Sequence, residues 1–443
     1  MIFRFLLVLL AIIAGAAACT SEEAAPTPTA TPTPAQSPAS HSPLTATPSP
    51  SETYKSGLIT EDETWSGTVH ITGDVAVRGA TVTILPGTTV LFAAHQDDQH
   101  SGCAVPLDEW IVQHNDFAAT LEYSQSHSSI QGVLVARGTP ENMITFTSDS
   151  AMPDGGDWEQ LHLWAGSAIE YCIVEYSRGA VDVAEDTYDS VVVSHNIMRY
   201  NLWTALTVHS SSSTVTYNEI YRSGGHQGIA IIGAGSAPHI ANNRIEHCAA
   251  GIHVDVGTSP IIEDNILTNN HSGIGVLLST AVIQRNIISS PTGAAYDFTY
   301  RGESVYFATT AMGGHNETQG ITVGHSSPTI SHNDISDYGK GIVIVGDSSP
   351  SITFNTISGC LGGIVFEPSF LGSPGISMNN IYKNSGDNLD LQPGFTGVLD
   401  AANNWWGTAN EADIARKIND SVDDPSRGTV DYMPFLTEPL AEE

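Results

Sequence analysis

Apolar residues alternate with polar residues in short stretches along most of the chain, and Gly, Asn, Ser or Pro bounds each stretch. Ile342 and Ile344 illustrate this alternation, whose period of two is typical of β-strands that bury one face. The repeats offer no stretch with the length and period that an ordinary helix needs. The pattern therefore predicts two or three short strands per unit, joined by tight turns.

The strand pattern repeats at a shift of 22 residues. Residues 327–366 contain the unit twice, so that Asn333 returns as Asn355, and residues 237–254 align with 259–276 without a gap. A single unit cannot bury its apolar face alone, whereas stacked units pair their strands in parallel and bury Ile and Val inside. The sequence therefore predicts an all-β solenoid, a single parallel β-helix whose coils have roughly 22 residues.

Two residue types form columns in this repeat. The Asn column contains Asn196, Asn218, Asn243, Asn265, Asn286, Asn333, Asn355, Asn379 and Asn403. Asn tolerates the left-handed backbone of a sharp turn, and stacked amides can hydrogen-bond from coil to coil. The Gly column contains Gly228, Gly251, Gly273, Gly341 and Gly363, each at the turn before a strand. We interpret both columns as structural.

The Asn-x-Ile and Gly-Ile-x-Val coils resemble the right-handed parallel β-helix proteins of the pectate-lyase-like superfamily, with its carbohydrate-binding and sugar-hydrolase repeats. Residues 67–92, 136–149 and 402–408 also resemble segments of these proteins, and the resemblance covers about residues 57–435. It implies a right-handed helix. It implies no single activity, because such helices host lyases, hydrolases, epimerases and adhesins.

The beginning of the chain indicates export. Residues 1–18 place one Arg before an apolar run that is too short to span a bilayer and that ends in small residues. Ala16, Ala17, Ala18 and Cys19 resemble the lipobox of bacterial lipoproteins, which implies cleavage before Cys19 and lipidation of its thiol. The alternative is an ordinary secretory signal followed by a chance Cys. We expect an extracytoplasmic protein, lipid-anchored to the bacterial cell membrane or cell surface.

The rest of the chain divides into a tether and one folded domain. Residues 19–54 contain mostly small and polar residues with many prolines, and such a composition predicts a disordered Pro/Thr/Ser-rich spacer. Residues 55–440 form the predicted β-helix domain, and two insertions, at about 95–129 and 295–319, interrupt its spacing.

The formal net charge is −33, from 48 Asp and Glu against 15 Lys and Arg. This charge should repel nucleic acid, and it disfavours polyanionic substrates unless Ca²⁺ intervenes. We expect a monomer whose acidic surface serves solubility first.

Beyond Cys19, the cysteines are Cys103, Cys172, Cys248 and Cys360. About four coils of about 4.8 Å separate the last two, too far for a disulfide, and we interpret them as apolar turn fillers.

The resemblance also implies a binding face, because ligands of such helices usually lie along the outer face of the strand that starts at the Gly-Ile pair. On that face the alternation places His209, His253 and Asp255, with His226 and His271 in the preceding turns. Such a patch could bind a ligand or a metal, or exchange protons near neutral pH. An ordinary solvated strand surface is the alternative.

The insertion at 295–319 comes just before this strand and could overhang it. Tyr296 and Tyr300 offer rings on which sugars stack, and Arg301 and Glu303 offer a cation and an acid. His253, Asp255, Arg301 and Glu303 are therefore the candidate catalytic residues. A sequence cannot show whether two carboxylates face each other, so it supports no glycosidase assignment.

The insertion at 95–129 contains His95, Asp97, Asp98 and His100, a mixed nitrogen and oxygen set suited to a divalent ion. A polar solvated loop is the alternative interpretation. The sequence requires no cofactor. Ca²⁺ or another divalent cation is the ion that these four residues could bind.

The motifs of polygalacturonases, mannuronan epimerases and pectate lyases are not complete in this chain. Residues 224–228 resemble the Gly-His-Gly segment of polygalacturonases, but the partner motifs are missing. The sequence therefore predicts a lipid-anchored extracellular β-helix that binds glycans or cell-wall polysaccharide. A polysaccharide hydrolase or lyase is the first alternative, and a structural spacer or protein-binding adhesin is the second.

Overall fold

The computed structural model describes residues 52–94, 108–111, 132–183, 191–209, 211–223, 226–291, 299–300, 303–304 and 318–441. Within these residues, short parallel strands stack coil upon coil into three sheets that form a right-handed β-helix. We name these sheets A, B and C in the order in which each coil visits them. The predicted all-β fold and its parallel stacking are confirmed.

Sheet A has 12 strands, most of them three residues long. They are Glu63–Trp65, Thr81–Ile84, Val133–Arg137, Ala168–Glu170, Val192–Ser194, Thr214–Thr216, His239–Ala241, Ile261–Glu263, Val282–Gln284, Thr329–Ser331, Ser351–Thr353 and Gly375–Ser377.

Sheets B and C share two long strands at the beginning of the helix, Glu52–Ile59 and Thr68–Val77. The further strands of sheet B are Thr89–Phe92, Ile144–Ser148, Cys172–Glu175, Ile197–Arg199, Glu219–Tyr221, Arg244–Glu246, Ile266–Thr268, Ile287–Ser289, Asp334–Ser336, Thr356–Ser358 and Asn380–Tyr382.

Sheet C carries the strands that start at the Gly-Ile pairs. Its strands are Asp108–Ile111, Trp158–Leu163, Val181–Val183, Leu206–His209, Gln227–Ile232, Ala250–Val254, Ser272–Leu277, Gln319–Gly324, Lys340–Val345, Gly362–Phe366, Leu389–Leu391 and Ile418–Asn419.

The core consists of equivalent apolar residues that stack along the helix axis. In sheet A, Ile240, Ile262, Ile283, Ile330 and Ile352 pair in register from coil to coil. All five side chains are fully buried. Because each strand is too short to be stable alone, this stacking supplies the apolar burial that holds the coils together.

The Asn column lies at the corner between sheets A and B, where the predicted ladder of amide hydrogen bonds is confirmed. From Asn196 to Asn379, each backbone N–H donates to the side-chain Oδ1 of the next Asn at 2.9 to 3.0 Å. The last rung is Asn404, so the prediction of Asn403 was wrong by one residue.

The left-handed residue of this corner precedes the ladder Asn, which corrects the expected backbone of the Asn itself. The residues with positive φ are His195, Tyr217, Asn242, Asp264, Arg285, His332, Phe354, Met378 and Asn403. The ladder Asn is buried because its side chain turns inward to bond backbone groups of neighbouring coils.

The Gly column serves close approach between coils. A Cβ at Gly251 would lie 2.7 Å from the carbonyl oxygen of Gly273, and one at Gly273 would lie 2.3 Å from that of Gly320. The column is structural as interpreted, but its glycines lie within the sheet C strands and not in the turns before them. Its reason is space between backbones, since none of these three glycines has a positive φ.

Cys172, Cys248 and Cys360 are buried and free, and the turn-filler interpretation is confirmed for the last two. The Cys248 backbone N–H donates to Asn270 Oδ1 at 2.9 Å, which places it in a second column of turn residues. Cys103 lies outside the described residues.

Both ends of the domain and both insertions touch undescribed segments. The first strand begins at Glu52, so the tether predicted for 19–54 lies outside the described residues except for its last three. The signal peptide predicted for 1–18 also lies outside them. Strand Asp108–Ile111 of sheet C falls within the insertion at 95–129. In the insertion at 295–319, Thr299–Tyr300 pairs antiparallel with Glu303–Ser304.

The C-terminal region departs from the repeat. Val398–Asp400 pairs with Thr429–Asp431 in a small parallel sheet, and Glu411–Ala415 forms α1, whose N-cap is Asn410. Across the part of the chain that is described, helices long and apolar enough to cross a membrane are absent.

Candidate functional site

The outer face of sheet C is a continuous row of side chains in the predicted order. Strand pairing aligns Thr207, Ala230, His253, Gly275, Thr322, Val343 and Val365. Thr322, Val343 and Val365 are buried, whereas Thr207 and His253 are half-buried. The polar, accessible part of the face therefore lies in the coils between residues 158 and 255.

Before Thr207, the same row contains two residues that the sequence analysis did not select. His162 pairs in register with Asp182, and Asp182 pairs with Thr207. His162 Nδ1 lies 3.1 Å from one Asp182 oxygen, and His209 Nε2 lies 3.1 Å from the other. We call these three residues the His–Asp–His group. Its carboxylate is accessible from the surface, since 13% of the Asp182 side chain is exposed.

The charge of Asp182 depends on its two imidazole neighbours. Burial by itself would raise the pKa of Asp182, but the nearby imidazoles of His209 and His162 outweigh it and hold the pKa well below its usual range. The carboxylate is therefore ionised at neutral pH. It can fix the ring orientation of both histidines and stabilise an imidazolium.

His253 and Asp255 continue the polar face in a later coil. His253 Nε2 lies 3.9 Å from an Asp255 oxygen. Burial raises the pKa of Asp255, while the nearby His253 imidazole and the hydrogen bond from the Val256 backbone N–H at 2.8 Å lower it more, so the pKa is lowered overall. Burial also lowers the pKa of His226 and of His271, so both imidazoles are neutral at pH 7.

A second group lies at the corner between sheets B and C. Arg178 donates to Glu159 Oε1 at 2.7 Å, and its guanidinium lies 6.0 Å from the centre of the Trp203 ring. Trp203 meets His226 edge to face, with 5.7 Å between ring centres. We call Glu159, Arg178, Trp203 and His226 the corner cluster. Burial raises the pKa of Glu159, and Arg178 only partly offsets it.

Tyrosines extend the aromatic surface of this corner. Tyr176 stacks on Tyr200 with 5.7 Å between ring centres, and Tyr200 meets Tyr221 edge-on at 5.4 Å. All three rings and Trp203 are half-buried. Rings of this kind offer apolar faces with a polar tip, which suits a ligand with apolar faces and hydroxyl edges.

The structure brings together four of the predicted site residues, since His209, His226, His253 and Asp255 lie in adjacent coils of sheet C or its preceding corner. Other candidates lie outside the described residues, namely Cys19, His95, Asp97, Asp98, His100, Tyr296 and Arg301. Tyr300 and Glu303 lie in the short antiparallel pair, and their side chains are not described.

A metal centre has no support from the described segments, which contain no group of three or more His, Cys, Asp or Glu side chains arranged to hold an ion. Within the His–Asp–His group, both imidazoles lie close enough to the Asp182 carboxylate to exchange protons with it.

The residues that sequence reasoning missed do have a local signal. The segments Leu161–Leu163 and Val181–Val183 each place one polar residue, His162 or Asp182, between two apolar ones. Alternation would therefore have pointed both side chains outward. The signal was missed because these coils precede the Asn column and do not begin with Gly-Ile.

Comparisons with known proteins agree with the fold. Residues 165–289 match the family model described as right handed beta helix region. A crystal structure of alginate lyase from Paenibacillus sp. str. FPU-7 is 14% identical, with a TM-score of 0.37, and the match covers 64% of this chain and 92% of that chain.

Two further structures show the same kind of likeness. A double mutant of the periplasmic alginate epimerase AlgG is 14% identical, with a TM-score of 0.38, and covers 73% of this chain and 76% of that chain. The catalytic domain of GH87 alpha-1,3-glucanase in complex with nigerose is 12% identical, with a TM-score of 0.32. The match covers 85% of this chain and 63% of that chain. No curated protein matches this chain. These distant similarities to polysaccharide-active enzymes concern the fold alone.

Proposed function

We propose that the protein binds a glycan chain on the outer face of sheet C, across the coils between residues 158 and 255. The observation that supports this proposal is the position of half-buried rings directly beside a row of polar side chains. Trp203 lies at the corner, and Thr207, His209 and His253 lie on the adjoining face. Sugars present apolar faces to rings and hydroxyl edges to carboxylates and imidazoles.

The test is a glycan array followed by calorimetry on any glycan that binds. Trp203→Ala should weaken binding by about tenfold, since loss of one ring contact costs about 1 to 2 kcal/mol. The matched control is Tyr217→Ala, because Tyr217 is 53% exposed but lies at the corner between sheets A and B. Equal losses in the two variants would contradict the proposed site.

The array experiment also separates the alternatives. If the parent protein binds no glycan, the spacer or adhesin interpretation is favoured. We propose that binding needs no metal ion, so binding after dialysis against EDTA should equal binding before it. Loss of binding in EDTA, restored by Ca²⁺, would instead support a divalent-ion site in the undescribed residues.

A polysaccharide hydrolase or lyase is the second candidate, and the His–Asp–His group favours it. An ionised Asp182 beside two imidazoles is an arrangement that supports proton transfer. Asp182→Asn should lower turnover by about 10²- to 10⁴-fold while binding remains, measured by release of reducing ends or unsaturated products. Asp264→Asn, which changes a carboxylate on the opposite side of the coil, is the control. Undetectable turnover by the parent on every bound glycan would leave the binding function alone.

We further propose that the protein is exported and lipid-anchored through Cys19, as the sequence predicts. Cys19→Ala should release the protein from the membrane fraction or leave it unprocessed. A variant that fractionates like the parent would contradict the anchor.

A further inference from the structure

We infer that the sheet C site selects uncharged glycans and discriminates against polyuronates. This inference rests on the proposed function and adds the substrate class. It comes from the ion pairing around the outer face of sheet C, where Arg178, Lys340 and Arg427 each have a carboxylate partner.

Three cations reach the carboxylates of this face. Arg178 pairs with Glu159 at 2.7 Å, Lys340 with Glu367 at 2.8 Å, and Arg427 with Asp390 at 2.8 Å. The first pair borders the proposed site, and the other two lie in the later coils. A sugar carboxylate would need a cation, and the charge of each of these is already balanced by a protein carboxylate.

Carboxylates also line the proposed site itself. Its carboxylates are Glu159, Asp182 and Asp255, against Arg178 and the exposed Arg222 of the same corner, whose charge acts on Tyr200. Burial keeps His226 and His271 neutral at pH 7, so these rings add no positive charge. The ionised carboxylates of Asp182 and Asp255 therefore repel a uronate.

A neutral sugar meets the opposite condition. Its hydroxyl groups donate hydrogen bonds, and the carboxylate of Asp255, with 16% of its side chain exposed, accepts them. A uronate carboxylate has no hydrogen to donate and so makes no bond to Asp255. Carboxylate acceptors next to aromatic rings thus favour hydroxyl-rich, uncharged chains.

The experiment compares one oligosaccharide in two forms, an oligouronate and its carboxyl-reduced, neutral derivative of the same length. Titration calorimetry at pH 8 and low salt keeps ordinary imidazoles neutral. The neutral form should bind at least about tenfold more tightly than the oligouronate. Repulsion between two unit charges about 6 Å apart, at an effective dielectric constant of about 40, weakens binding by about this factor. The difference should shrink in high salt.

A gain-of-function variant tests the ion-pair argument. Glu159→Gln removes the carboxylate partner of Arg178, so the ratio of oligouronate affinity to neutral-oligosaccharide affinity should rise about tenfold, whatever the change in either affinity alone. The matched control is Glu175→Gln, which frees Arg199 from a similar pair at 2.6 Å on sheet B. If Glu159→Gln fails to fold, Asp255→Asn should raise oligouronate binding in the same direction.

The outcomes are distinct. Tighter binding of the oligouronate by the parent, or the same response of both Glu variants, overturns the selectivity while the glycan site stands. Binding of neither form of any oligosaccharide overturns the proposed function and this inference with it.

Discussion

A single asparagine side chain connects three coils of this protein. The Asn265 carboxamide accepts from the Asn243 backbone N–H at 2.9 Å and donates to the Ile240 carbonyl at 2.9 Å and to Asn286 Oδ1 at 3.0 Å. These groups are buried in the tight corner between sheets A and B, away from water that could replace the amide. The ladder therefore satisfies the backbone groups that the corner leaves unpaired.

Replacing Asn265 with Val should be costly because it strands buried backbone groups. The Asn243 N–H and the Ile240 carbonyl would each lose a partner, a loss of about 2 to 5 kcal/mol in the free energy of unfolding. Thermal and denaturant unfolding of the two proteins measure it.

The adjacent corner residue is the control for this variant. Asn242 is exposed and has φ 57°, so it occupies the left-handed position and makes no rung. Asn242→Asp should change stability by less than about 0.5 kcal/mol, since Asp also tolerates this backbone. A larger loss in Asn242→Asp than in Asn265→Val would show that the left-handed residue, and not the ladder, controls the corner.

Sequence reasoning identified the ladder but not the left-handed position, for a physical reason. Only Asn offers one acceptor and two donors in the short side chain that the buried rung needs, so the column is visible as a residue type. The left-handed position is half-buried at His195 and exposed at Tyr217, Arg285 and Phe354. Because several residue types occupy this position, the sequence shows no column there. The one shared property is that none of these four residues is β-branched.

At the scale of strands, ion pairs and hydrogen bonds link the side chains of neighbouring strands in sheet A. Glu263 accepts from Gln284 Nε2 and from Arg285 at 2.6 Å each, and it lies 2.8 Å from His239 Nε2. Hydrogen bonds from Gln284 and His239, then from Arg285, lower the pKa of Glu263 to about 2 from an ordinary 4.5. The carboxylate thus joins three successive strands.

The lowered pKa of Glu263 makes this link dependent on pH. Because the folded-state pKa lies below the unfolded-state value, the stabilisation is complete above pH about 4.5 and is lost as the pH falls to about 2. Glu263→Gln should therefore lower the unfolding midpoint at pH 7, and the difference from the parent should shrink below pH 4.5. Thermal scans between pH 7 and pH 2.5 measure it.

A control and a contrary result define this test. Glu438→Gln changes an exposed carboxylate near the end of the chain and should leave the midpoint unchanged across the range. A difference between Glu263→Gln and the parent that grows as the pH falls would contradict the assigned sign.

Strand alternation predicted the outward row of sheet C where the spacing is regular. His253 aligned correctly with Ala230 and Gly275 because these coils repeat at 22 or 23 residues. His162, Asp182 and Thr207 are separated by 20 and then 25 residues, so a fixed repeat cannot align them. The His–Asp–His group depends on turn lengths, which the chain varies freely outside the stacked strands.

At the scale of the whole molecule, the stack continues across its longest late insertion. Ile287–Ser289 pairs directly with Asp334–Ser336, and Ser272–Leu277 pairs directly with Gln319–Gly324. The coils on either side of the insertion therefore contact each other as if it were absent. Solenoid stability is nearly a sum of coil and neighbour terms, so a loop that leaves these pairings intact contributes little to it.

Deletion of residues 297–313 should therefore leave the fold and its stability intact. A shorter loop lowers the closure entropy cost by less than about 1 kcal/mol, so the unfolding midpoint should stay within about 2 °C of the parent value. Circular dichroism and thermal melts measure this, and a large loss of stability would show that the insertion packs as part of the core. Calorimetry on the same folded variant then assigns the ligand contacts. Binding that is retained and still sensitive to Trp203→Ala supports the corner of sheet C, whereas binding lost on deletion supports the predicted roles of Tyr296 and Tyr300.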